Sequence, residues 1–243
     1  MLYLDHAATT PVRPEVLEAM LPYLTDRFGN PSSHHTVGEA AAAALDDARR
    51  RVAAVLGVRA GDIVFTSGGT EADNLAVKGL AVGAALRRGA PVHVITTPIE
   101  HEAVLASCDY LERVHGFPVT LLPVDSTGLV DPTDLAAALR AETAVVSIGY
   151  ANNETGTVQD AAGLAAVTIA AGVPLHLDAV QAAGWLPLSG TGADALSLAG
   201  HKIGAPQGVG VLAVRSRLPL EPLIHGGGQE AGRRSGTENL AGV

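Results

Sequence analysis

Short apolar runs alternate along most of the chain with longer segments whose apolar residues recur every three or four positions. Ile63-Val64-Phe65-Thr66 leads into a helical pattern over residues 71–88, and the run 92–97 leads into another over 102–114. Runs at 144–150 and 173–177 flank a helical pattern over 161–171, and shorter runs follow at 195–198 and 209–214. Continuous apolar strands are buried on both faces, and their alternation with helices predicts a parallel or mostly parallel sheet covered on both sides. In α/β sheets of this kind ligands bind beyond the carboxyl ends of the strands. The polar motifs fall at those ends: residues 66–70, His101, residues 152–154, Asp178 and Lys202. Residues 40–44 are an ordinary helix-forming alanine run, and the glycine-rich stretch 225–236 is expected to be a loop.

Composition narrows the classes that remain. With 243 residues, 47% hydrophobic and 17% charged, the chain can bury the core of one large domain, or of one domain and part of another. Its formal charge of −9 argues against nucleic acid as a main partner, because phosphate contacts need clustered Lys and Arg. The single cysteine, Cys108, excludes an internal disulfide and fits a reducing compartment. The apolar segment 163–175 is too short to span a bilayer and carries Pro174. Residues 1–5 lack the basic start and long apolar stretch of a signal peptide. A cytoplasmic protein with no membrane partner is expected.

The candidate chemistry centres on Lys202, which follows a strand and the small residues Ala199 and Gly200. Such a lysine suits a Schiff base with pyridoxal phosphate, a cofactor that needs an amine anchor, an anion for its ring nitrogen and a phosphate cradle. Lys202 and Lys78 are the only lysines of the chain. Asp178 ends an apolar strand, where its carboxylate either faces a pyridine nitrogen or caps a following helix. Gln181 stands three residues on, in what would be the first helical turn. In Thr66-Ser67-Gly68-Gly69-Thr70-Glu71 two glycines and a helix start either cradle a phosphate or make a tight turn capped by Thr70. His101 either stacks on a planar cofactor and moves protons or caps its helix. His225-Gly226-Gly227-Gly228 lacks the Gly-x-Ser-x-Gly partner of an esterase, and the helix at His101-Glu102 lacks the second histidine of a zincin.

Taken together, residues 3–11 (YLDHAATTP), 29–35 (GNPSSHH), 66–74 (TSGGTEADN), Glu100-His101, 152–156 (NNETG), 178–181 (DAVQ), 200–202 (GHK) and 225–237 (HGGGQEAGRRSGT) resemble the cysteine desulfurases. These belong to the class V aminotransferase branch of the fold-type I pyridoxal-phosphate enzymes. The resemblance implies a large domain over residues 13–243 after an N-terminal segment 1–12, built on a mainly parallel seven-stranded sheet with helices on both faces. It implies pyridoxal 5'-phosphate as cofactor, with Lys202 as the Schiff-base lysine, Asp178 on the ring nitrogen and Gln181 on the ring hydroxyl. His101 would stack over the ring as acid and base, and Asn153 would lie near ring and substrate. Gly69, Thr70 and His201 would hold the phosphate, with Thr237 reaching the phosphate of the neighbouring subunit in a homodimer. The implied reaction removes sulfur from L-cysteine, leaving L-alanine and a protein persulfide. A sulfur-acceptor or scaffold protein would then use that sulfur for iron–sulfur cluster or thio-cofactor synthesis.

The chain departs from the family pattern at two places. Ala199 stands where the family has a serine, and one lost neutral hydrogen bond costs on the order of 1 kcal/mol. The family's nucleophilic cysteine and substrate-gripping arginine are expected in a C-terminal small domain beyond Val243, so the sequence predicts a chain that holds cofactor without completing sulfur transfer. Cys108 shares an apolar helical stripe with Val104, Leu105 and Leu111, which places it in the core rather than at a site. Another class V enzyme (an aminotransferase or carbon–sulfur lyase) and a non-catalytic cofactor-binding or dimerising domain remain open at this point.

Overall fold

The computed structural model describes residues 2–243. Its strands are β1 (Ile63–Thr66), β2 (His93–Thr96), β3 (Val119–Leu121), β4 (Thr143–Gly149), β5 (Leu175–Asp178), β6 (Ala195–Ala199) and β7 (Gly210–Val214). They form one seven-stranded sheet in the order β1-β7-β6-β5-β4-β2-β3. Strands β2 to β6 are mutually parallel, and β7 runs antiparallel to both β6 and β1. The connection from β6 to β7, residues 200–209, is too short for the crossover helix that a parallel pair requires, so the chain reverses there. The expected mainly parallel sheet is observed.

Neighbouring residues of each central strand point to opposite faces and enter separate cores. Ile63, Phe65, Val146, Ile148, Leu196 and Leu198 pack against α2 (Thr36–Leu56), α6 (Pro132–Ala138) and α7 (Ala161–Ala171). Val64, Val94, Val145 and Leu212 pack instead against the helices that follow β1 and β2. The first of these comprises α3 (Gly69–Asn74), a π turn (Leu75–Gly79) and α4 (Leu80–Arg88), joined without a break. The second is α5 (Glu102–His115). The helix expected over 71–88 therefore starts two residues earlier, at Gly69, and carries a π turn that periodicity did not disclose. Gln181 lies in a run of turns rather than a helix: Ala182 and Ala183 both bond back to the Ala179 carbonyl, Trp185 and Leu186 to that of Ala182, and Gly184 between them is left-handed at φ 82°. The stretch 225–236 is a loop containing one short 3-10 turn, Glu230–Gly232.

The N-terminal segment lies across the carboxyl ends of the strands, ahead of α1 (Pro14–Leu24). Thr10 donates its amide and hydroxyl to the His201 carbonyl, each at 2.8 Å, and its hydroxyl accepts from the Gly204 amide at 2.9 Å. Strand register sets the remaining geometry at that end: Gly149 stands opposite Asp178, Asp178 opposite Ser197, and Ala199 opposite Gly210. Among the described residues no helix is long and apolar enough to cross a membrane.

Gly210 brings β7 against the turn after β1, where a Cβ would lie 2.4 Å from the carbonyl carbon of Gly68. Backbone cannot move aside as a side chain can, so Gly210→Ala is expected to cost about 1–3 kcal/mol. Gly61→Ala, which meets nothing within 4 Å, is the control and should stay within roughly 0.5 kcal/mol of wild type. Urea unfolding of the two variants checks this, and equal stabilities would refute the close approach.

Candidate functional site

A cavity of about 280 Å³ opens beyond the carboxyl ends of β4, β5 and β6. Gly69, Thr70, His101, Asn153, Asp178, Gln181, His201 and Lys202 all line it. Thr237, the remaining sequence candidate, is exposed and is not among the lining residues.

Each element delivers its residue for a local reason. β5 ends at Asp178, whose Oδ1 accepts from the Val180 amide at 2.9 Å and so turns the chain instead of capping a helix. β6 ends at Ala199, and a single 3-10 turn, Gly200–Lys202, presents His201 and Lys202. The Lys202 ammonium donates to the Ala7 carbonyl, which also accepts from Gln181 Nε2 at 2.9 Å. His201 Nδ1 meets the Thr9 hydroxyl at 3.0 Å. His101 caps α5: its Nδ1 accepts from the Ala103 amide at 3.0 Å, so a neutral ring carries its proton on Nε2. Capping and cavity lining are thus combined in one residue. Asn153 follows Asn152, which pins the two loops together by donating to the Ile99 carbonyl at 2.9 Å.

The turn between β1 and α3 is not capped by Thr70, since Gly68 holds the N-cap position without a side-chain bond. The amides of Gly69, Thr70 and Glu71 have no hydrogen-bond partner among the described residues. They are the free donors of a helix start, with the dipole favouring an anion. Gly69 itself is buried, and a Cβ there would meet Val180 Cγ2 at 2.7 Å.

Two carboxyl groups that sequence reasoning passed over share the cavity. Asp73 is only 2% exposed and its Oδ1 has no hydrogen-bond partner. Burial and the charge of Asp178 push its carboxyl well above the usual range. Glu100 accepts from the Thr97 hydroxyl at 2.6 Å, and burial raises its carboxyl to about 7. Burial also raises Asp178, against the pull of the Val180 amide, His101 and Lys202. Lys202 is lowered by loss of solvent, although Asp5 and Asp178 oppose that shift. The only signal for Asp73 was its place one turn past the glycines. Glu100 was visible merely as the neighbour of His101.

The residues suit a planar, positively charged ring carrying an anionic arm. Carboxyls without a paired cation line one part of the cavity, with an orphaned oxygen on Asp73, and free amides supply the anion site. Among the described residues no group of three or more His, Cys, Asp or Glu is placed to hold a metal ion. Cys108 lies on the buried face of α5, and burial raises its thiol to about 12, which keeps it protonated and unreactive.

Comparison with known proteins shows what the chain is similar to. The family model for aminotransferase class-V matches residues 2–243. A cysteine desulfurase IscS of Dictyoglomus turgidum is 46% identical over all of this chain and 61% of its own length. A cysteine desulfurase of Cereibacter sphaeroides is 49% identical, again over all of this chain and 62% of its own. Among solved structures, SspA in complex with cysteine superposes with a TM-score of 0.94 at 42% identity, covering all of this chain and 70% of that one. A NifS-like protein gives the same TM-score and identity over 99% of this chain and 66% of its own. The chain spans about three-fifths of the length of the curated relatives it matches.

The raised Glu100 carboxyl has a consequence for stability. The folded chain keeps a proton that the unfolded chain releases above about 4.5, so stability from this group falls as pH rises from 4.5 to about 7 and is constant beyond. Glu100→Gln removes that loss. Relative to wild type it should gain roughly 2–4 kcal/mol between pH 4 and pH 8, measured by urea unfolding. A difference between the two proteins that does not change with pH would show that Glu100 does not titrate in this window.

Proposed function

The chain belongs to the class-V aminotransferase family, and from that membership we propose that it is the pyridoxal-phosphate-binding domain of a cysteine desulfurase, acting on L-cysteine to leave L-alanine. The observation that carries this is the meeting of Lys202, Asp178, Gln181, His101, Gly69, Thr70 and His201 around one cavity. Lys202 would anchor the cofactor, Asp178 would keep its ring nitrogen protonated, and Gln181 would bond its ring hydroxyl. Gly69, Thr70 and His201 would hold its phosphate. Bound there, pyridoxal phosphate supplies a sink for the electron pair left when the substrate Cα loses its proton.

The chain's own residues manage that proton. Desolvation lowers Lys202, so a larger share of its amine is neutral and able to take a proton from Cα. His101, with Nδ1 engaged by the Ala103 amide, exchanges protons through Nε2. Asn153, which lines the cavity, would lie near ring and substrate. Cysteine as substrate draws support from the structural neighbour SspA, which was solved in complex with cysteine. The thiolate that accepts the sulfur is not Cys108, whose thiol is buried and held protonated. We further propose a cytoplasmic homodimer that passes sulfur to an acceptor or scaffold protein for iron–sulfur cluster or thio-cofactor synthesis. The exposure of Thr237, away from its own chain's cavity, is consistent with a reach into the neighbouring one.

Titrating the chain with pyridoxal phosphate should produce the visible absorbance of a lysine-bound cofactor. Lys202→Ala is expected to abolish it and Cys108→Ser to leave it intact. An unchanged spectrum in Lys202→Ala would sink the lysine assignment. With L-cysteine added, the 243-residue chain should release no sulfide beyond a single turnover. Sustained sulfide release would overturn the view that the accepting thiolate lies elsewhere.

A further inference from the structure

Glu71 sits in the first turn of the helix whose free amides face the cavity, yet it does not line that cavity. A carboxylate there suits the helix dipole but opposes any phosphate bound at the same helix start. The structure resolves the conflict with Arg234. Its Nε donates to Glu71 Oε1 at 2.8 Å and its Nη2 to Oε2 at 3.3 Å, with only 19% and 14% of the two side chains exposed. Glu71 Oε2 also accepts from the Ser67 amide at 2.8 Å, which draws the carboxylate back over the turn. Arg234 and Ser67 outweigh the effect of burial and hold the Glu71 carboxyl below its ordinary range, so the pair is ionic.

Arg234 is itself fixed. The Gly228 amide donates to the Ser235 hydroxyl at 3.2 Å, and the Ser235 amide to the Ile224 carbonyl at 3.1 Å. Glu230 of the same loop is buried, bonded by Arg49 at 2.6 and 2.8 Å and by the Phe65 amide at 2.8 Å. The loop is therefore clamped to β1, the strand that also delivers the glycine turn. Arg234 reaches Glu71 from a rigid base, at a separation of more than 160 positions in sequence.

We propose that Arg234 is a positioning residue for the phosphate site, neutralising Glu71 and holding it off the bound phosphate so that the amides of Gly69, Thr70 and Glu71 present an uncontested anion site. This rests on the assignment of that helix start to the cofactor phosphate. Glu71 then shapes the turn through Ser67 without repelling the ligand, and the pair acts only on ligands that carry a phosphate.

The test measures equilibrium affinity of the 243-residue chain for pyridoxal 5'-phosphate and for unphosphorylated pyridoxal by absorbance titration, with inorganic phosphate as competitor. Wild type, Glu71→Gln, Arg234→Met and the double variant are compared. Arg234→Met should bind pyridoxal phosphate about tenfold more weakly, because it leaves an unpaired, partly buried carboxylate beside the phosphate. The double variant should return to within about threefold of wild type, and Glu71→Gln should bind at least as tightly as wild type. Pyridoxal affinity should be the same in all four, and inorganic phosphate should compete least well against Arg234→Met.

A double variant as weak as Arg234→Met, or an equal loss for pyridoxal, would overturn the charge-neutralising role and leave the arginine a purely structural tie. If Arg234→Met fails to melt cooperatively, Glu71→Gln decides alone: it keeps the acceptor for Ser67 and the arginine, and weaker phosphate binding there overturns the proposal. A wild-type chain that binds pyridoxal as tightly as its phosphate would instead remove the phosphate assignment, and this proposal with it.

Discussion

Three carboxyl groups without adequate solvent stand at the head of the sheet, and what else occupies that region follows from their desolvation. Burying an unpaired charge costs several kcal/mol, so such groups take up protons or draw in cations. Asp73 and Glu100 take the first course, each pushed upward by burial. Asp178 is raised too, but His101 and Lys202 pull against that rise, and it is the carboxyl best able to remain an anion. His176 cannot help, although its Nε2 lies 3.8 Å from Asp73 Oδ1. Complete burial lowers its ring to about 3, so it stays neutral, held between the hydroxyls of Ser147 and Ser197 at 2.8 Å each. Among the described residues Lys202 is thus the one fixed cation pulling on Asp178 beside His101, and the protonated ring nitrogen of the proposed cofactor would meet that need.

The N-terminal segment closes the same region from above. The Ala7 carbonyl gathers the Lys202 ammonium and the Gln181 amide, while Thr9 and Thr10 hold His201 and its carbonyl. Two of the residues that would grip the cofactor are thereby oriented by a backbone carbonyl far away in sequence. Lys202 spends its hydrogen bond on a neutral acceptor rather than a carboxylate, so nothing but Coulomb attraction from Asp5 and Asp178 resists the lowering of its pKa. A lysine tied to a carboxylate would remain protonated more firmly and take up a proton less readily.

Much of this was legible from local pattern. Strand-sized apolar runs disclosed the sheet, because a buried parallel strand needs both faces apolar. Lys202, Asp178 and the glycines of 68–69 were legible because polar residues at strand ends interrupt those runs. Long-range choices were not. Asp73 reads as one more polar residue of an amphipathic helix until tertiary packing turns it inward. The π turn at Leu75–Gly79 leaves no mark on composition, and the Arg234–Glu71 pair joins segments that no periodicity connects. Thr237 does not line the cavity, and nothing local to its sequence shows that.

Ala199 shows how such a departure is absorbed. The family pattern puts a hydroxyl at this position, and the side chain here is buried beside Gly69, 3.3 Å from where a Cβ on that glycine would lie. A methyl in that place donates nothing, which removes one hydrogen bond worth about 1 kcal/mol. The amides of Gly69, Thr70 and Glu71 are not altered by a change of side chain, and they remain free. An anion site assembled chiefly from backbone donors at a helix start keeps most of its strength when one side-chain donor is lost. What it tolerates badly is a misplaced charge or a displaced turn. That is why the residues surrounding the turn (Gly210 behind it, Glu71 and Arg234 beside it) constrain it more tightly than the side chain at 199 does.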